Sequence, residues 1–278
     1  VMNASTQEYV PYANVYLKSF RGGTTSFNNG KFSLKLDLVF EDTLVVSCMG
    51  FKTARFYLPD LFTSEPVTLQ LFPDTNLLKE VPVKAGKVDM ETLGLYRKKP
   101  EYCAGILAQM PRARYIPNAR KRKGFVRSIA VYVGKKGVYN APFRINLLRI
   151  NADSSNTPGE GLIKEDYILS SKEGGEWVSL DLLEKYISIP ENGFFVVVQP
   201  LPLDTSKRAY YEARYKLSYP SQFYTAAPQF GYVLENVAEG YDKSWGFAKS
   251  MLKSSGETRK GWYRVYADVF DNCKTEKE

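Results

Sequence analysis

From Val10 to Leu71 the chain repeats short runs of alternating apolar and polar residues separated by turn residues, which commits it to small antiparallel sheets. Ala13, Val15 and Leu17 point one way while Asn14, Tyr16 and Lys18 point the other, the period of a half-buried strand. Asn28-Asn29-Gly30 accepts positive φ, so the spacing predicts a reversal there and a hairpin strand through Phe32, Leu34 and Leu36. Leu44 to Met49 is nearly continuous in apolar residues, as a central strand covered on both faces would be, and Gly50 ends it. Val67, Leu69 and Leu71 give a fourth run, and Val81 to Val83 a further short one.

The same residues carry a family likeness. The order Pro11-x-Ala13-Asn14-Val15-x-Leu17, Thr25, Asn29-Gly30-x-Phe32-x-Leu34, Asp42-Thr43-Leu44-Val45-Val46-Ser47 and Gly50-Phe51-Lys52 resembles the carboxypeptidase-like regulatory domain. The tail "TNLLKEVPVKA" resembles the segment that closes that domain. The resemblance implies a transthyretin-like sandwich over residues 1–85, of the kind common in cell-envelope proteins of Bacteroidetes and often placed ahead of TonB-dependent receptor plugs. It also implies an opening strand that begins a few residues earlier. A start at Val1 rather than Met fits either a removed leader or a trimmed chain, and the resemblance favours the leader.

With 278 residues, 44% of them apolar and 14% aromatic, there is material for two packed cores. No run of about 18 apolar residues suggests a membrane-spanning helix, and these modules leave no length for a large receptor barrel.

The chain contains no histidine. That removes Ser-His-Asp triads, Cys-His pairs, histidine-containing zinc sites and histidine general bases. A metallocarboxypeptidase needs histidine ligands, so the family name does not imply an activity here, and no enzyme and no cofactor is expected. Carboxylate-only chemistry, as in glycoside hydrolysis, stays formally open. Its candidates are Glu160, Glu165 and Asp166, or Glu235, Glu239 and Asp242, although solvated acids beside turns are the plainer reading. Cys48 reads as a small core residue, whereas Cys103 and Cys273 could pair if they met.

Composition shifts after Pro73, and residues 86–104 read as a connector. Between Arg112 and Arg127 seven basic residues (Arg112, Arg114, Arg120, Lys121, Arg122, Lys123 and Arg127) occur without an acid. Such a cluster could hold phosphate groups of lipopolysaccharide, anionic glycans or nucleic acid, but a solvated loop before a strand explains it as well. The net charge of +8 is spread over a mixed surface, and no nucleic-acid partner is expected.

A second all-β pattern fills residues 105–278. Strands are predicted at Phe125 to Val133, Phe143 to Asn151, Leu162 to Ser170, Glu176 to Leu180, Phe194 to Leu201, Gly231 to Leu234 and Trp262 to Phe270. Turns are marked by Asn156-Thr157-Pro158-Gly159, Gly174-Gly175 and Asn192-Gly193. Seven or eight such strands suit a sandwich or jelly roll. The order "SIAVYVG", "APFRINLLRIN", "TPGEGLI", "WVSLDLLEKYISIPENGFFVVVQ" resembles a jelly-roll-like module of Bacteroidetes envelope proteins, in which Trp177 packs at a strand start and Phe194 to Val198 fill the core. That resemblance implies no catalytic residue.

The segment "RAYYEARYKLSYPSQFYTAAPQFGY" carries Tyr210, Tyr211, Tyr215, Tyr219, Phe223, Tyr224, Phe230 and Tyr232, and its Pro and Ala interruptions predict a long loop. Aromatic rings there could stack on sugar rings, or simply pack the loop onto the sandwich. Trp245 and Trp262 read as core anchors. The chain is thus expected to be all-β, two sandwiches, acting as a non-catalytic binding or assembly module of the periplasm or outer membrane. Its partner would be a glycan or an envelope protein, with peripheral membrane association open to it.

Overall fold

The computed structural model describes residues 1–18, 23–34, 36, 41–62, 66–74, 89–94, 102–105, 111–121, 123–152, 154–217, 226–234, 245–246, 261–263 and 265–271. By internal contacts the chain divides into two compact units. One comprises Val1–Leu78, Lys164–Asp166 and Leu201–Ala226; the other comprises Lys79–Ile163, Tyr167–Pro200 and Ala227–Glu278.

In the first unit, β1 (Met2–Asn3) runs parallel to a later strand, while β2 (Asn14–Leu17), β3 (Gly23–Thr25), β4 (Thr43–Ser47) and β5 (Ala54–Tyr57) form an antiparallel sheet of order β3-β2-β4-β5. The partner of β1 is β6 (Gln70–Leu71). Period-2 alternation buries Val15 and Leu17 from β2 while Asn14 and Tyr16 stay half-exposed. As expected for a strand with neighbours on both edges, β4 buries three consecutive residues, Leu44, Val45 and Val46. Leu44 and Val46 share one core with Val15, Leu17, Leu69 and Leu71. Gly50 turns the chain after β4 with φ +79°.

The Asn28-Asn29-Gly30 turn forms as expected: the Gly30 N–H donates to the Phe27 carbonyl, and Gly30 takes φ +71°. The hairpin strand expected after it does not appear among the described residues, because β2 pairs instead with β3, Val15 lying opposite Thr24. Phe32, Leu34 and Leu36 still pack against the core, so their alternation reflects burial without a ladder.

The second unit contains β7 (Asp89–Gly94), β8 (Tyr102–Gly105), β9 (Arg112–Ile116), β10 (Phe125–Gly137), β11 (Phe143–Asn151), β12 (Ser154–Gly161) and β13 (Tyr167–Leu169). It continues with β14 (Glu176–Asp181), β15 (Ile187–Ser188), β16 (Phe194–Pro200), β17 (Pro228–Leu234), β18 (Trp245–Gly246), β19 (Gly261–Tyr263) and β20 (Val265–Asp271). Among the described residues these make an eight-stranded sheet centred on β10 and a six-stranded sheet along β12-β11-β16-β9-β18. Phe143 of one sheet meets Phe230 of the other edge to face, with ring centroids 5.3 Å apart, so the two sheets share an apolar interior. All seven residues of β16 are buried, and Trp177 packs edge-on against its cross-strand neighbour Tyr132.

The protein is therefore all-β, with one short α-helix among the described residues. Three sequence expectations differ from it locally. Residues 86–104, expected as a connector, supply β7 and part of β8. Arg112 to Ile116, expected in a loop, is a strand paired with β16. The Asn156 to Gly159 turn signal lies inside β12, an edge strand whose register with β11 shifts around Pro158, which is where a sheet tolerates proline.

Candidate functional site

The tyrosine-rich segment, expected as a loop, opens with a helix, α1 (Arg208–Tyr215). Leu201–Ala226 groups with the first unit, although it lies within the sequence range expected for the second sandwich. A 3-10 turn over Thr205–Lys207 leads into α1, with Asp204 as its capping residue. The Asp204 carboxylate accepts from the Ser206 hydroxyl at 2.7 Å, the Ser206 N–H at 2.9 Å and the Asn28 amide at 2.9 Å. These donors stabilise the ionised form, the Ser206 hydroxyl most, and hold the carboxyl below the usual aspartate range. At the other end Lys216 takes φ 50° and its N–H returns to the Glu212 carbonyl, a left-handed cap made without glycine. Along the helix, Arg208 Nε lies 2.6 Å from Glu212 Oε1, a pair at i and i+4.

This scaffold divides the tyrosines by role. Tyr211 is buried, stacks on Tyr215 at 6.4 Å and meets Tyr210 edge-on at 5.3 Å. Burial, then the nearby Asp204 charge, pushes its hydroxyl pKa up, so the phenol stays neutral. Tyr210 is 46% exposed. The Arg214 guanidinium lies 5.9 Å from the Tyr210 ring centre and 5.8 Å from that of Tyr215. The helix thus presents one exposed ring and one guanidinium on a base fixed by Tyr211 and Asp204.

Of the residues singled out from sequence, Tyr210, Tyr211 and Tyr215 come together on α1, whereas Tyr219, Tyr224 and Arg122 lie outside the described residues, as do Phe223, Glu235, Glu239, Asp242 and Cys273. Phe230 is core, and for Tyr232 and Trp245 only the backbone is described. Arg208, Arg214 and Asp204 are not among the residues that composition singles out; the signal for them is the i, i+4 spacing of Arg208 with Glu212, which marks a helix inside an aromatic-rich segment.

The basic cluster is divided as well. Arg112 and Arg114 are strand residues. Arg120, Lys121 and Lys123 are exposed around a turn in which Lys121 takes φ 50°. Lys121 Nζ lies 2.9 Å from Glu191 Oε1; that bond raises the lysine pKa and lowers the glutamate's. Buried Asn118 anchors the turn by donating to the Pro190 carbonyl. In water an exposed pair of this kind stabilises little, but it places an acid beside the cluster that sequence order alone did not show.

Among the acids, Glu160 and Glu165 are exposed and Asp166 is half-buried. Cys48 is partly buried beside the core, as its sequence context suggests, and Cys103 is an exposed thiol. Among the described residues no three His, Cys, Asp or Glu side chains are placed to hold a metal, and no helix is long and apolar enough to cross a membrane.

Residues 1–83 match the family model of the CarboxypepD_reg-like domain, a regulatory rather than catalytic family. Comparison with curated proteins gives no match. Solved structures with some likeness include the clostridial cysteine protease Cwp84 after propeptide cleavage, at 12% identity and TM-score 0.40, covering 72% of this chain and 45% of that one. Another comprises the cysteine protease and lectin-like domains of Cwp84, a surface-layer-associated protein of Clostridium difficile, at 13% identity and TM-score 0.37, covering 66% of this chain and 36% of that one. The chain thus spans less than half the length of either, and at these scores neither likeness bears on function.

Proposed function

We propose that this protein is a non-catalytic binding module of the cell envelope that holds a carbohydrate against Tyr210 and Arg214. The observation that carries the reading is the 46% exposure of Tyr210 on a helix whose neighbouring Tyr211 is buried, so the exposed ring stands on a packed base. A phenol face covers the C–H face of a pyranose, while an adjacent guanidinium donates to hydroxyl or carboxylate oxygens. Such a ligand needs no proton transfer, in keeping with a chain that has no histidine. The match of residues 1–83 to the CarboxypepD_reg-like model fits a role beside other domains, and the envelope setting rests on the family resemblance read in the sequence.

The test is a glycan array followed by titration calorimetry on the full chain. Tyr210→Ala should raise Kd at least about tenfold, or about 1.4 kcal/mol, while Tyr210→Phe keeps most of the affinity. Thermal stability of both variants should stay within about 0.5 kcal/mol, as at an ordinary surface position. Array signals at background for neutral and acidic glycans alike would end the carbohydrate reading.

A further inference from the structure

The four-stranded sheet of the first unit has one face on the core and one turned away from it. Val15 and Leu17 of β2, Leu44 and Val46 of β4, and Ala54 and Phe56 of β5 pack into the core. By alternation Tyr16, Val45, Arg55 and Tyr57 point the other way. The register sets their arrangement: Val45 lies opposite Tyr16 on one side and opposite Arg55 on the other. In the next row Thr43 lies opposite Tyr57, and the Lys18 N–H donates to the Thr43 carbonyl at 2.8 Å, which carries the β2–β4 register on to Lys18.

Six positions thus form two rows, Tyr16-Val45-Arg55 and Lys18-Thr43-Tyr57, and none of the six is an acid. Two interstrand spacings separate β2 from β5, about 10 Å, and two residues along a strand span about 7 Å. The tyrosines therefore stand on one diagonal of a rectangle, about 12 Å apart, and the cations stand on the other. Lys18 and Arg55 are exposed and Tyr57 is 48% exposed. Between them Val45, buried yet outside the core that Leu44 and Val46 share, forms the floor with half-buried Thr43. Gly23 continues the Tyr16 row on β3; a Cβ there would come within 3.0 Å of the Tyr16 Cβ, so this position sets no side chain beside the ring. At the opposite corner the Tyr57 hydroxyl donates to the Glu41 carboxylate. Desolvation first, then the charges of Glu41 and Asp60, raises the Tyr57 pKa and keeps the phenol neutral.

We infer that this sheet face binds an acidic polysaccharide, a chain of β-linked uronate sugars laid along the diagonal from Tyr57 to Tyr16. The two phenol rings take the C–H faces of pyranose rings near either end. Successive sugars of such a chain are flipped, so their carboxylates project to alternate sides, and the two cations stand one on each side of the diagonal. Arg55 offers paired N–H donors to one carboxylate and Lys18 a compact charge to another. Charge complementarity with Lys18 and Arg55 selects a uronate chain over a neutral one. The site shares no residue with Tyr210 and Arg214 and does not rest on the carbohydrate reading given for them.

The experiment is amide NMR on the full chain carrying Tyr210→Ala, so that a response belongs to the sheet and not to α1. The probes are tetramannuronate and cellotetraose, a neutral chain of similar linkage. Expected with tetramannuronate are saturable shifts in Asn14–Leu17, Thr43–Ser47 and Ala54–Tyr57 that weaken as salt is raised, with cellotetraose at least about tenfold weaker. Arg55→Gln and Lys18→Gln, both at exposed positions, should each raise Kd severalfold. Tyr57→Phe should keep most of the affinity, whereas Tyr57→Ala should lose at least about tenfold. Equal affinity for cellotetraose would overturn the pairing of carboxylates with Arg55 and Lys18. Equal shifts with hexaglutamate would overturn the proposal in favour of an acidic peptide. Absence of shifts in β2, β4 and β5 would end it, while the glycan array on the unsubstituted chain would still decide the Tyr210 site.

Discussion

The two units reach stability by different routes. In the second, β10 is 13 residues long, is paired on both edges and buries six consecutive residues from Ile129 to Gly134. In the first, the strands among the described residues run from two to five residues, and half of the buried core, including Leu58 and Leu69, lies outside them. The first also leaves Tyr9, Tyr57, Phe62, Phe72 and Tyr210 in water, against Ile168, Leu183 and Tyr186 among the described residues of the second. Long ladders satisfy backbone groups internally, whereas a core built on short ladders leaves rims where other chains or ligands can act. The Tyr210 and Arg214 surface lies in the unit of short strands.

Core truncation should break the comparison most severely. Phe143→Ala removes a fully buried ring from the second sandwich and should cost about 3–5 kcal/mol. All three tryptophans belong to the second unit, so intrinsic tryptophan fluorescence during denaturation reads this loss without the first unit contributing. Next come two glycines with similar φ and different surroundings. At Gly193, φ +83°, a Cβ would meet the Ile116 carbonyl at 2.3 Å; at Gly50, φ +79°, it would meet nothing within 4 Å. Gly193→Ala should therefore cost about 1–3 kcal/mol in strain plus the clash, and Gly50→Ala about 1–2 kcal/mol from backbone conformation alone. Equal losses in chemical denaturation would show that the long-stranded unit is no less forgiving than the short-stranded one.

Smaller still is the helix anchor: Asp204→Ala should cost about 1 kcal/mol and speed amide exchange in α1 with little change at Leu17 or Val46. The least effect is expected from acid. Asp204 in the first unit and Glu176 in the second both have lowered pKa values, chiefly through the hydroxyls of Ser206 and Ser171. A depressed carboxyl stabilises fully above its ordinary value, near 4, and the contribution fades as pH falls through the lowered one. Ser206→Ala should flatten that dependence only in the first unit and Ser171→Ala only in the second. A shared response to either variant would mean that the units titrate as one.

Sequence reasoning read the strands best where burial and pairing coincide. Phe143–Asn151 forms as expected because its alternation serves a ladder and a core together. Phe32 to Leu36 alternate like a strand without forming one among the described residues, because alternation records which face is buried, not whether a neighbour supplies hydrogen bonds. Arg112–Ile116 was hidden by charge, although Ala113 and Tyr115 alternate through it. The candidate site was half legible: aromatic density flagged Tyr210, Tyr211 and Tyr215. Their division into buried base and exposed ring, and the bond from Asn28 to Asp204, depend on a contact spanning 176 positions that no local pattern records.

That bond bears on how the protein is made. The family model matches residues 1–83, yet the folded unit also takes in Leu201–Ala226. At about 5–20 residues per second, a ribosome needs roughly 6–25 seconds to go from Leu78 to Leu201. Through that interval the nascent first sandwich waits without its helix while more than a hundred residues of another fold emerge. A fragment cut at the family boundary would keep this waiting state permanently, and with it would lose Tyr210.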